Sequence, residues 1–523
     1  MYTFHILVYQ TMNEKLKEIQ NDYLNFSNLS QNSSLSEDII FKKIAELDDK
    51  YKKNEMHFQS FEGVLSNVGF EQASIKVLNY VITRLKRKKD KLPQNKYFYD
   101  IGNTILNKSV LIYKTKPNIS TLISTKSFLE AKEYFYKVIE DDTDLYERAR
   151  TNITNILEKY GRNYEALYAY DDVIKKNPLF GMALGNKAIA LEYYIKLSPK
   201  TSLVLLNNVY KLLINALKDK KLSDIGGKIA INIFTHKKEK IEQFFRKIKY
   251  KYSELKKPEY LTKYQHFILD NNLYLNYDFG FYYNKNSLKD TFFPNFIENL
   301  KDKKITKNPS MSEKIYYSFQ IFNQLLEDFT TARYNYFHAA NIKCSRIDKK
   351  INYIYTLDYT KHSLKYGLLK SVFSSLCNCF DKIAHLMKYY YCYPDNDVNS
   401  TDIYFDWLTS ENFKKIIIKN KNHQLLALYN LALDFKEGGI YNRIKKIRNR
   451  ITHSFLNINI GEAYNEKYKI FEITEDKLIK YNDKLFIIVK AAIMYSVLAI
   501  YSSNFKERDK LFKMIATLEN EIF

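Results

Sequence analysis

The chain is poor in residues that interrupt regular structure. Its 523 residues include only 13 glycines and 8 prolines. Folds made of many short strands need such residues at tight turns. The scarcity therefore excludes an all-β sandwich or barrel and favours long helices. Cysteine is as rare, with four in total at Cys344, Cys377, Cys379 and Cys392. That is too few for a disulfide framework, there is no Cys-x-x-Cys pair, and a reducing compartment fits. Cys377 and Cys379 fall in an apolar helical pattern, so they are read as core residues rather than metal ligands. No run approaches twenty apolar residues, so no transmembrane helix is expected. The nearest, LFIIVKAAIMYSVLAIY (485–501), is interrupted by Lys490 and reads as a buried helix. The N-terminus lacks a basic region followed by an apolar core and a small-residue cleavage site, so no secretory leader is expected. These absences point to a cytoplasmic protein without a membrane partner. Also missing are a Gly-rich phosphate loop, a His-Glu-x-x-His zinc motif and a Gly-x-Ser-x-Gly elbow, and with them the commonest nucleotidase, metalloprotease and serine hydrolase chemistries.

What is present is a globular composition, 46% hydrophobic and 27% charged, at a length that suggests roughly three structural units. Basic residues outnumber acidic ones by 82 to 59, a net charge of +23. Such a field attracts polyanions, of which nucleic acid is the commonest and an anionic membrane surface the other. The same numbers fit a Lys-rich composition with no specific partner.

Residues 1–24 read as helix, and the Ser/Asn-rich NFSNLSQNSSLSED (25–38) as a loop. Ser36 before Glu37 and Asp38 is a helix start, because a hydroxyl and acidic groups suit free N–H groups. Helices are expected over about 38–60 and 70–87. The run KRKKDK (86–91) with Pro93 closes a helical region at 1–93. From 94 to 257 helical pairs recur. The clearest is 147–178, in which Ile153, Leu157, Ala166, Tyr170 and Pro178 occupy the spacing of the large, aromatic, small, aromatic and terminal Pro positions of the tetratricopeptide repeat, which the segment resembles. Such repeats imply a surface for a protein or ligand trigger; an ordinary helical array is the alternative. Residues 258–310, with NNLYLNYDFGFYYNKNSLKDTFFPNF, read as an irregular aromatic-rich connector. From 311 to 523 five helices are expected, at 316–342, 362–391, 422–436, 439–458 and 483–504, forming a bundle. The fold class is all-α.

The 439–458 segment carries the informative residues. At about 100° per residue, Ile440, Ile444, Ile447, Ile451, Phe455 and Ile458 form one apolar stripe. Asn449 and His453 lie one turn apart on the opposite side, with Arg448 flanking the stripe and Arg450 beyond the histidine. A neutral imidazole can take the proton from a ribose 2′-hydroxyl, which then attacks the adjacent phosphorus. A guanidinium can hold the phosphate and offset its developing charge. That reaction needs no metal and no cofactor. A solvated basic helix face is the plainer reading of the same residues.

The Arg-Asn-x-x-x-His pattern at 448–453 resembles the signature of the HEPN superfamily of ribonucleases and nucleotide-binding domains. YSFQIFNQLLEDFTTARY (317–334), FSSLCNCFDKIAHLMKYYY (373–391) and LYLNYDFGFYYN (273–284) are similar to a bacterial branch in which such a domain follows tetratricopeptide-like repeats. The resemblance implies catalysis by Arg448 and His453, with Asn449 and Arg450 in support. It also implies an acidic or polar helper on the second long helix, for which Asp381 is the candidate because it lies opposite the stripe of Leu364, Leu368, Val372, Cys379 and Ile383. Some relatives carry a modifiable Tyr two residues after the His; here Phe455 stands there. The implied protein is a metal-independent endoribonuclease acting on RNA, a regulated toxin or antiviral-defence effector with the repeats as sensor. A homodimer through the C-terminal domain would supply both a general base and a general acid from one motif. The alternative is a catalytically inactive adaptor that binds a protein, nucleotide or RNA.

Overall fold

In the computed structural model the described residues are all except 1, 141–142, 198–201, 251–259, 281–284, 295–308, 343–345, 355–358, 394–402, 460–471 and 505–523. Cys344 lies outside them. Among the described residues the structure is all-α apart from one small sheet, and the chain divides into two compact units, Met1–Ile156 and Leu157–Phe523.

The first unit is built from α1 (Tyr2–Asn32), α2 (Glu37–Tyr51), α3 (Glu55–Glu71), α4 (Ile75–Arg87), α5 (Gln94–Thr115), α6 (Ile119–Ser124), α7 (Ser127–Tyr136) and most of α8 (Thr143–Lys159). Ser36 caps α2 by accepting from the Ile39 N–H. Asn54 and Ser74 do the same for α3 and α4, which breaks the two long helices expected here into three. The expected loop at 25–38 is helical as far as Asn32. Phe26 is buried there, and the Ser30 hydroxyl bonds both its own helix at Ser27 O and the Glu71 carboxylate. Tertiary contacts thus outweigh the weak helix preference of Ser and Asn.

The second unit begins with α9 (Asn163–Lys176), α10 (Gly181–Leu197), α11 (Leu203–Ala216) and α12 (Leu222–Lys247). A short helix, α13 (Lys263–Asp270), opens the aromatic-rich segment, which then runs irregularly. It is ordered by polar anchors. Arg333 grips Asp290 through two bonds of 2.9 and 2.8 Å and donates to Leu273 O, and Tyr194 donates to Tyr277 O. The bundle follows: α14 (Pro309–Asn341), α15 (Leu364–Cys392), α16 (Glu411–Asn420), α17 (His423–Asp434), α18 (Asn442–His453) and α19 (Glu475–Asn504). α14 and α15 pack antiparallel, with Tyr317 against Tyr389 near one end and Lys382 paired with Asp328 further along. Helix α19 is the spine of the bundle. It is long and apolar enough to cross a membrane, but 83% of its apolar window is buried inside the structure. The sequence reading of 485–501 as a core helix holds.

Two features depart from the expected bundle. Residues 411–420 form a sixth helix. The expected helix 439–458 stops at His453, where Ser454 takes a non-helical conformation. The chain then forms β2 (Asn457–Asn459), antiparallel to β1 (Thr360–Lys361) and parallel to β3 (Glu472–Thr474). Leu456 and Ile458 are buried through a strand's alternation rather than a helical stripe, and Phe455 is left 56% exposed.

A buried polar knot ties the 160–165 segment to the bundle. Arg162, fully buried, bonds Glu165 at 2.8 and 2.6 Å, Asn430 at 2.8 Å and Asp434 at 2.5 Å. The turn before it needs Gly161, whose φ is +79° and whose missing Cβ would lie 2.5 Å from His423 O.

Candidate functional site

Helix α18 enters through a turn pinned to the end of α17, where the Tyr441 N–H donates to Asp434 O at 2.7 Å. Ile444 and Ile447 anchor the helix to the bundle. The remaining positions are largely polar and basic, and they line two separate cavities.

The first cavity, about 300 Å³, is lined by Cys377, Phe380, Asp381, Tyr404, Phe405, Asp406, Phe435, Ile444, Lys445, Arg448 and Asn449. Arg448 is half-buried, with Nη2 3.4 Å from Asp381 Oδ2. The other Asp381 oxygen accepts the Phe405 N–H at 2.9 Å. Burial pushes the Asp381 carboxyl above its ordinary range, while the Phe405 N–H and the Arg448 guanidinium pull it back. At the rim Lys445 pairs with Asp406 at 2.6 Å. Cys377 forms part of the wall, and burial raises its thiol, so it stays protonated and inert. His385 follows Asp381 by one helical turn and is half-buried; burial holds its imidazole below its ordinary value.

The second cavity, about 790 Å³, is lined by Asn442, Arg443, Lys446, Ile447, Asn449, Arg450, His453, Ser454, Leu456, Glu472 and Ile473. Arg443, Lys446, Arg450 and His453 recur every three or four residues, so they share one face of α18. The last turn of a helix points its carbonyl oxygens outward, a setting that favours the positive charge of Arg450. Glu472 is engaged by the Asn459 amide at 2.8 Å.

The structure thus brings Arg448 together with Asp381, and His453 together with Arg450. It does not place Arg448 and His453 in one cavity; Asn449 forms the ridge and lines both. Sequence reasoning missed Arg443, Lys446, Lys445, Asp406 and the three-phenylalanine wall. The basic stripe was legible in the helical spacing of 443, 446, 450 and 453, whereas the phenylalanines come from three distant segments. Among the described residues there is no cluster of three His, Cys, Asp or Glu side chains able to hold a metal ion.

Residues 309–503 match the family model of LA2681-like HEPN domains. No solved structure matches the chain significantly.

Proposed function

We propose that this chain, whose residues 309–503 form a HEPN domain, is an endoribonuclease that cleaves RNA without a metal ion. HEPN domains are commonly ribonucleases. The observation that carries the reading is the single basic stripe of Arg443, Lys446, Arg450 and His453 in one cleft, one residue across the Asn449 ridge from Arg448.

The stripe suits an RNA backbone, because cations spaced along a helix neutralise successive phosphates. His453 takes the proton of a 2′-hydroxyl. The 2′-oxygen attacks the adjacent phosphorus, the bond to the 5′-oxygen breaks, and that oxygen leaves with a proton from a general acid. The products are a 2′,3′-cyclic phosphate and a 5′-hydroxyl. Arg448 holds the phosphate as charge develops on its oxygens. In one chain Arg448 and His453 open into different cavities, which favours a two-fold dimer through α18. There the partner's copy of the motif supplies the acid and closes the cleft.

The regulatory part of the proposal is that residues around 160–165 report to this site. Arg162 grips Asp434, and Asp434 O receives the Tyr441 N–H at the start of α18. A protein or ligand trigger on the repeat-like helices would then act through that turn, as in a cytoplasmic toxin or defence effector. The test is cleavage of total cellular RNA by the purified full chain in the presence of EDTA, with end analysis of the fragments. Cyclic-phosphate and 5′-hydroxyl ends are expected. Activity lost to EDTA, or 5′-phosphate ends, would overturn the mechanism. Tight RNA binding without cleavage would instead support the inactive adaptor.

A further inference from the structure

Arg448 forms one edge of the 300 Å³ cavity, but the rest of that cavity takes no part in the cleavage chemistry just described, and the rest of its lining is unlike that of a phosphate site. Three rings form its apolar side. Phe380 lies 4.8 Å from Phe405 and 4.9 Å from Phe435, and Phe405 lies 5.5 Å from Phe435. The opposite side is polar and carries both signs of charge: Asp381 beside Arg448, and Asp406 beside Lys445, with Asn449 at the boundary to the basic cleft. The volume is at the lower end of small-ligand sites, about 300–1,000 Å³. These rings are nearly buried against one another, while Tyr404, which also lines the cavity, is 56% exposed; the ligand that fits is flat, packs on this aromatic side and presents hydrogen-bonding groups along one edge.

We infer that this cavity binds a guanine base of the RNA substrate and so selects where the chain is cut. The inference rests on the RNA-cleaving reading above. Single-stranded RNA is read by stacking splayed bases on aromatic side chains and bonding their edges. Ionised carboxylates only accept hydrogen bonds. Guanine alone among the four bases offers two adjacent donors, N1–H and the 2-amino group, next to an acceptor, O6. Asp381 and Asp406 match the donors, and the Lys445 ammonium matches O6. Uracil has a single N–H flanked by two carbonyl oxygens, which would face the carboxylates. Since Asn449 lines both cavities, a base in one places its own phosphate at the mouth of the other, against the basic stripe.

The experiment is calorimetric titration of the full chain carrying His453→Ala, so that nothing is turned over. The probes are guanosine, adenosine, cytidine and uridine 3′-monophosphates, with inorganic phosphate as the backbone-only control. Guanosine 3′-monophosphate is expected to bind about tenfold or more tighter than the uridine nucleotide, the discrimination of one good edge contact. Asp406→Asn should remove that preference while leaving phosphate binding intact. Its side chain is 47% exposed, so the fold does not depend on it. Phe435→Leu should weaken all four nucleotides. Equal binding of all four, a preference for another base, or a guanine preference indifferent to Asp406→Asn each overturns the inference. Selective binding by a chain whose wild type never cuts RNA would sink the nuclease reading and leave the base site standing. Cleavage with no base preference at any pocket variant would do the reverse.

Discussion

Arg162 is the point at which the architecture can be tested most sharply. Its guanidinium is fully buried between two carboxylates, Glu165 and Asp434, and Asn430. Burial opposes its charge, yet the two carboxylates hold its pKa well above the ordinary value. Replacing it with methionine keeps much of the volume and removes the only cation of this triad. Two buried carboxylates then face each other, and breaking a buried pair in this way costs about 3–5 kcal/mol. The sign of the pH dependence follows. Without Arg162 at least one carboxyl has a folded-state pKa raised above its unfolded value. Its contribution is then fully present below the unfolded pKa and is lost as pH rises through the folded one. The deficit of the variant should therefore shrink as pH falls from 7 toward 5, by up to about 1.4 kcal/mol per pH unit for one group. The assay is urea unfolding followed by tryptophan fluorescence. The chain has one tryptophan, Trp407, which lies in the second unit, so the signal reports on the unit that holds the knot. A midpoint shift worth less than about 1 kcal/mol, or one equal at pH 5 and pH 7, would refute the reasoning.

Other outcomes are as specific. His453→Ala and Arg448→Ala should each abolish cleavage with near-native helical signal; His453 is exposed and Arg448 sits in a half-exposed ion pair worth at most about 1 kcal/mol. A large melting shift in either would mean the residue is structural. Mixing the two inactive variants should restore part of the activity if two chains share one site; no recovery in a proven mixed dimer would rule out sharing. Lys490 is buried in α19, donating to Asn272 O at 2.9 Å and to its amide oxygen at 3.1 Å, and burial lowers its pKa to about 7. Between about pH 7 and 10 the unfolded chain therefore binds the proton that the folded one lacks, and stability rises with pH. Relative to Lys490→Met, the wild type should gain up to about 1.4 kcal/mol per pH unit over that range. Parallel urea midpoints at pH 7 and 9 would contradict the lowered pKa.

The helices of the bundle were legible because long, nearly unbroken apolar patterns with little Gly or Pro admit few other structures. Asp381 was placed opposite an apolar stripe from helical phase alone, and it does stand beside Arg448. In reality α15 is buried on most sides, and Asp381 is half-buried rather than solvated. Three things were not legible. The end of α18 turns on Ser454, an ordinary residue, and the spacing of 451, 455 and 458 fits a helix as well as it fits a strand from 456. The Arg162 knot joins residues 268 and 272 positions apart in sequence, beyond any local pattern. The split of the motif between two cavities depends on how α18 is rotated against α15, which packing decides.

The dual character of α19 bears on how the protein can be cut. Its residues Lys490 and Tyr495 are matched not by the bundle but by Asn272, Tyr164 and Glu165. Truncating the chain at 309, where the HEPN match begins, would strip those partners away. It would expose a row of apolar and half-satisfied polar groups along the one helix, among the described residues, with the length and composition of a membrane span. Such a fragment would be expected to aggregate or to settle on lipid surfaces, and any toxicity it showed in cells would say little about RNA.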